Sequence, residues 1–195
     1  MNKKKIIQIG IIIFVIVFVA ICIAIVQFSK KDLEEAKKGL EETQKKYGWV
    51  EKENIDVLVA KFNTQVMDND SSSLNPASTD YLTESNNEYW YGLIEGVYLV
   101  VVPEKYTGDK TTEIVKYTLL YVDKTSKYES DAISYIKHLI KANNSEITDS
   151  EIDTLLEDAK TKTNSGKTAN NGKGISIGYT ENDEAYQYQV LRLYK

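Results

Sequence analysis

The sequence predicts an α+β domain carried behind a membrane-spanning helix and a short helical stalk. Three observations lead there. Residues 6–28 form one apolar run with no Asp, Glu, Lys or Arg in it. Beyond residue 48 the apolar spacing switches repeatedly between helical and strand periods. Two pairs of strand-like runs are separated by few enough residues to be hairpins.

The apolar run comes first. At about 1.5 Å per residue it reaches roughly 34 Å, enough to cross a hydrocarbon core of about 30 Å. Gln8 and Gln27, its strongly polar residues, sit near its ends. Lys3, Lys4 and Lys5 precede it, so the positive-inside bias puts residues 1–5 in the cytoplasm and the chain after Phe28 outside. A cleaved signal peptide has an apolar region of about 7–15 residues before a small-x-small site. Here Ile11 to Val26 is unbroken and Cys22-Ile23-Ala24 fits that site poorly. Ile21 occupies the place where a lipobox needs a small residue before its cysteine.

Residues 29–48 read as a charged stalk. Glu and Lys blocks alternate, and Leu33, Ala36, Leu40, Thr43 and Tyr47 recur at heptad spacing. That seam predicts a solvated helical spacer, with self-association through the stalk as the oligomeric alternative.

The domain proper is expected over 49–195. Ile55, Leu58, Val59, Phe62 and Val66 mark an amphipathic helix from about Asn54 to Asp68. A polar loop, Asp68 to Asp80, follows. Tyr89–Ile94 and Val97–Val102 are strands joined by Glu95-Gly96, where glycine supplies a positive φ. Ile114–Val122 is a third strand, with Val115, Tyr117, Leu119 and Tyr121 on one face. Ser126-x-x-Glu129 and Thr148-x-x-Glu151 both fit the capping box and announce two helices. The first buries Ile133, Ile136, Leu139 and Ile140; the second buries Ile152, Leu155, Leu156 and Ala159. A hairpin of about Gly174–Thr180 and Ala185–Tyr194 closes the chain. This order predicts a mainly antiparallel sheet of five or six strands with three helices packed on one face.

Composition restricts the chemistry. The 195 residues carry a net charge of −5, and with three lysines ahead of the apolar run the part beyond Phe28 carries −8. Arg192 is the sole arginine. Phosphate binding draws on Lys and Arg releasing counterions, so nucleic acid is not an expected partner. Cys22, the one cysteine, lies in the apolar run, which leaves no disulfide, thiol nucleophile or cysteine-bound zinc outside. The bias to Lys over Arg and to Ile, Asn and Tyr points to a bacterial surface protein.

Motif-like fragments are weighed against plainer readings. Ser165-Gly166-Lys167-Thr168 has the tail of a phosphate-binding loop, but Thr161 stands where its first glycine belongs, so no nucleotide is expected. Asp68-Asn69-Asp70-Ser71-Ser72 has oxygens at calcium-loop positions, yet Ser73 and Thr79 replace the needed Gly and Glu. His138, the one histidine, falls opposite the apolar helix face and reads as a solvated side chain. No catalytic residue, metal site or cofactor is therefore expected.

The candidate binding residues are aromatic. On the last strand Tyr186, Tyr188, Arg192 and Tyr194 share one face with Val190. They are expected to form a partly open surface for sugars, peptides or a protein, with Arg192 anchoring a carboxylate. The expected function is non-catalytic binding or scaffolding at the cell envelope, with the lipid bilayer engaged through residues 6–28 and an envelope protein or cell-wall component as partner. A membrane-tethered carboxylate-dependent hydrolase is the first alternative; an auxiliary subunit of a larger membrane complex is the second.

Overall fold

The computed structural model describes residues 34–42, 48–69, 74–78 and 82–194. The chain divides into two units, Met1–Thr43 and Gln44–Lys195. In the first, the described residues form one helical stretch, α1 (34–42), exposed along its length. It falls within the expected stalk. The expected span 6–28, and Leu33, Thr43 and Tyr47 of the heptad seam, lie outside the described residues. Among the described residues no helix is long and apolar enough to cross a membrane.

The second unit is α+β. Its elements are α2 (Ile55–Asn69), β1 (Leu82–Ser85), β2 (Glu88–Ile94), β3 (Val97–Pro103), β4 (Val115–Asp123), α3 (Glu129–Asn143), α4 (Asp149–Thr161), β5 (Ala169–Asn170), β6 (Ile175–Glu181) and β7 (Ala185–Arg192). One seven-stranded antiparallel sheet runs β1-β2-β3-β4-β7-β6-β5. A meander of four strands thus meets the closing hairpin where β4 pairs β7.

The sheet has more strands than the five or six expected. β1 was not legible because it carries one apolar residue, Leu82, and otherwise exposed Thr83, Glu84 and Ser85. Its turn to β2 is Asn86-Asn87, both at positive φ (54° and 64°), as a type I′ hairpin requires. β5 is two residues long, too short to show a period.

The core lies on one face of the sheet, where α2, α3 and α4 pack. Ile55, Leu58, Phe62 and Val66 of α2 meet Tyr135, Ile136, Leu139 and Ile140 of α3 over the inward strand residues. Each such side chain contributes roughly 1.5–3 kcal/mol on full burial. Asn54 starts α2 by accepting the Val57 amide at 2.9 Å. Thr148 and Glu151 form the expected reciprocal box on α4.

Three local expectations are corrected. The Ser126 box does not form: α3 is preceded by Tyr128 without a side-chain cap. Ser126 Oγ instead donates to Glu95 O at 2.7 Å and accepts from the Tyr128 amide, fastening the β2–β3 turn. Ile133 is only half-buried, and Ala132 and Tyr135 take the interior positions on that helix. His138 is half-buried rather than solvated. The cause is α4 crossing α3, with Lys137–Asp153 (2.6 Å) and Lys141–Asp149 (2.7 Å) drawn across beside it.

Candidate binding face

Tyr186, Tyr188 and Arg192 do share a face, but it is the inward one. They are 6%, 1% and 8% exposed. Tyr188 packs 4.8 Å from the Tyr179 ring and 6.0 Å from Tyr186, inside the core under the helices. Tyr194 lies just past β7, bridged to Val50. Burial is the main cause that raises its phenol to about 12. The open tyrosine surface expected there is closed.

Arg192 anchors the protein's own carboxylate. Its Nη1 donates to Glu53 Oε1 at 2.6 Å and to Asn143 Oδ1 at 2.9 Å, and Nη2 donates to Glu51 O at 3.1 Å. These bonds tie β7 to the segment ahead of α2 and to the end of α3. Beside them Val50 N donates to Leu193 O (2.7 Å), and Leu193 N to Gly174 O (2.8 Å).

The opposite face of the sheet carries a second aromatic group. The side chains of Trp90 (β2), Tyr98 (β3) and Tyr121 (β4) point away from the helices, since Tyr89, Tyr91, Leu99 and Leu120 beside them point in. Their rings cluster: Trp90 lies 5.9 Å from Tyr98 and 5.7 Å from Tyr121, and Tyr98 lies 6.2 Å from Tyr121. Trp90 and Tyr121 are on the strands that flank β3, so their rings meet over that strand. Val100, the cross-strand partner of Trp90 on β3, is fully buried yet stands outside the cluster under the helices. Trp90 Nε1 donates to Glu88 Oε2 at 3.2 Å, fixing the ring's orientation.

Strand register continues this surface. Gly92, Tyr98, Tyr121, Gln187 and Thr180 are successive cross-strand partners over β2, β3, β4, β7 and β6. A parallel row runs Trp90, Val100, Leu119, Gln189 and Gly178. Tyr117 continues the face on β4. Its neighbour Val115 turns inward, because the register shifts between Val102 and Pro103. The alternation that grouped Val115 with Tyr117 is broken by that bulge.

Concavities adjoin both ends of the first row. One of about 550 Å³ is lined by Asn75, Pro76, Gly92, Ile94 and Tyr98. Another of about 260 Å³ is lined by Tyr121, Gln187, Thr180 and Asn164. A larger hollow, about 660 Å³, lies elsewhere, between α2 and the end of α3. Its lysines are engaged: Lys61 with Glu53 at 2.5 Å and Lys141 with Asp149 at 2.7 Å.

Hydrogen bonds hold several carboxyls below their usual range. Glu113 is 3% exposed and accepts from Thr107 N, from Thr107 Oγ1 at 2.9 Å and from Gly108 N at 2.8 Å. Burial pushes its carboxyl up, but these donors and the Tyr89 hydroxyl outweigh it and hold it below the usual range. Asp109, Asp123, Asp149, Glu151 and Glu181 also move down, held by hydrogen bonds to Thr or Lys or Tyr neighbours. The Ser165–Lys167 loop is exposed, and of the calcium-like segment residues 70–73 lie outside the described set. Among the described residues no group of three or more His, Cys, Asp or Glu is placed to hold a metal.

Fold and surface together define a class: an α+β domain with one antiparallel sheet, helices on one side and an aromatic cluster on the other. No protein-family model, curated protein or solved structure is significantly similar to the chain.

Proposed function

We propose that this chain is a single-pass membrane protein, N-terminus in the cytoplasm, whose outer domain binds or scaffolds at a bacterial cell envelope without catalysis. The contact surface is the sheet face opposite the helices. One observation carries this reading: Trp90, Tyr98 and Tyr121 are gathered on a face to which the core contributes nothing. Half-buried aromatic side chains with polar neighbours are what binding surfaces concentrate. The address rests on residues 6–28 behind Lys3, Lys4 and Lys5. The reading without catalysis draws on the sequence, where the one cysteine lies in the apolar run and the one histidine is His138.

A photo-crosslinking amino acid replacing Tyr98 in intact cells tests it, with exposed Glu157 on α4 as the control position. The expected result is an envelope-fraction adduct from position 98 and none from 157. Identical patterns from both positions would remove the face from consideration. Residues 44–195 staying protease-resistant until the cells are lysed would remove the address.

A further inference from the structure

We infer that the row Gly92, Tyr98, Tyr121, Gln187 and Thr180 is a groove for a neutral oligosaccharide, with the Trp90 indole as its stacking surface. The inference deepens the binding reading above and rests on it. Shape is the first argument. The row crosses five adjacent strands in register, one position in from the turn at Glu95-Gly96. Four interstrand spacings of about 4.8 Å make it about 19 Å long. A hollow adjoins it at each end, one sharing Tyr98 and the other sharing Tyr121 and Gln187. That is an extended site for several linked rings.

Ring geometry is the second. The Trp90 plane lies at 63° to Tyr98 and 58° to Tyr121, and those two lie at 57° to each other. The two phenols thus stand tilted against the indole. A pyranose ring has C–H groups on a flat face, and these pack on the electron-rich face of an aromatic ring. The Glu88 bond to Trp90 Nε1 holds the indole in place before any ligand arrives.

Charge selects the ligand class. The part of the chain beyond Phe28 carries −8, yet neither row contains a charged residue. Glu88, the charged neighbour on β2, is engaged by the indole N–H. The hollows at the groove's ends add Glu95 and Glu181, each already paired with a lysine (Lys127 at 3.8 Å, Lys124 at 2.6 Å), so polyanions and charged peptides find no free counter-charge along the two rows. What it offers is amides from Gln187 and Gln189 and hydroxyls from Tyr98, Tyr121 and Thr180, the donors and acceptors that sugar hydroxyls match. A peptide adding as a strand would use a sheet edge. This row runs across strands whose backbone groups are already paired.

The test titrates the purified full-length chain with cellohexaose and chitohexaose, following heat and tryptophan emission. Trp49→Phe isolates the Trp90 signal. At least one hexasaccharide is expected to bind saturably, with the emission of Trp90 shifted. Trp90→Ala and, separately, Gln187→Ala are each expected to weaken that binding tenfold or more. Gln187 lies outside the core, so its variant stays informative if Trp90→Ala fails to fold. Binding of neither sugar by the folded wild type overturns the inference, as does undiminished binding by a folded Gln187→Ala. A concentration-dependent dimer abolished by Tyr98→Arg also overturns it, by giving the face to a second copy. Position-98 adducts in cells without sugar binding would defeat the ligand class and spare the face. Sugar binding in vitro, lost in the Gln187→Ala variant but without such adducts in cells, would spare the groove and defeat the envelope-partner reading.

Discussion

Glu53→Gln should destabilise the domain more than Arg192→Met, although both break the same ion pair. The pair is interior: the Arg192 side chain is 1% exposed and that of Glu53 is 9% exposed. Breaking a buried pair from one side costs about 3–5 kcal/mol, chiefly because a charge is left uncompensated. The two sides are not equivalent here. Without Arg192, Glu53 keeps Lys61 at 2.5 Å, and Lys61 reaches solvent, 55% exposed. The remaining charge is therefore compensated, and the cost falls to about 1–3 kcal/mol, in the range of lost hydrogen bonds to a charged group. Without the Glu53 charge, Arg192 keeps neutral partners around a buried cation, the oxygens of Asn143 and Glu51 and the Tyr194 ring at 5.5 Å, and no anion. The full 3–5 kcal/mol is then expected. For a domain of this size about 1 kcal/mol moves Tm by roughly 2–4 °C, so Glu53→Gln should lower Tm by roughly 6–20 °C. Urea unfolding followed by circular dichroism, at equal m-values, gives the comparison directly. Arg192→Met costing as much as Glu53→Gln, or more, would refute the reasoning.

Other perturbations follow from the same structure. Gly174→Ala should cost about 2–5 kcal/mol in urea unfolding, from left-handed strain plus overpacking. Its φ is +80°, and a Cβ there would stand 2.4 Å from the Trp49 carbonyl carbon. Thr148→Ala removes the α4 cap and should cost about 1 kcal/mol, read as a Tm shift of about 2–4 °C. Glu151 is pulled down to about 2 by Lys173, then by the Thr148 amide and hydroxyl. Because its folded pKa is depressed, its stabilisation is fully present above the ordinary value of 4.5 and is lost as pH falls through about 2. Urea midpoints of wild type and Glu151→Gln should accordingly converge over that interval and run parallel above it.

Much of the architecture was legible because local chemistry decides it. The Glu95-Gly96 turn needs glycine at φ +75°, and flanking β-branched and aromatic runs leave few alternatives. The Thr148–Glu151 box is equally local. The Ser126 motif matched the same pattern and failed, since its hydroxyl found a better partner in Glu95 O, thirty-one residues away in the chain. Tertiary contacts likewise moved His138 from solvent to a half-buried position. Such partners have no trace in a window of four residues.

The candidate site was half legible, and the missing half is instructive. Alternation correctly divided β7 into Tyr186, Tyr188, Val190 and Arg192 against Gln187, Gln189 and Leu191. It could not say which set the helices cover, because period two is symmetric between faces. A polarity comparison favours the observed answer: two glutamines are cheaper to leave in water than two tyrosines and a valine. Arg192 argued the other way, as a charged residue that normally stays solvated. Its burial depended on Glu53, nearly the whole domain away in sequence, which no single-strand pattern contains.

Register then decides what each tyrosine does. On the inward face Tyr89, Tyr91 and Tyr179 are held neutral by burial, their phenols raised well above the ordinary value. They serve as large apolar bodies. On the outward face Trp90 shares a cross-strand row with Val100 and Leu119, two side chains 0% and 9% exposed that stand outside the cluster under the helices. Core formation does not require that cluster, since Val100 and Leu119 contribute nothing to the packing beneath α2, α3 and α4. The cluster packs three rings against one another on the outward face, with Trp90 held by Glu88 and glutamines on the neighbouring strand. A surface with that construction spends little conformational entropy when a partner settles on it, because its rings are already held. This pre-ordering, more than the number of tyrosines, is the reason to look for a ligand on this side of the sheet.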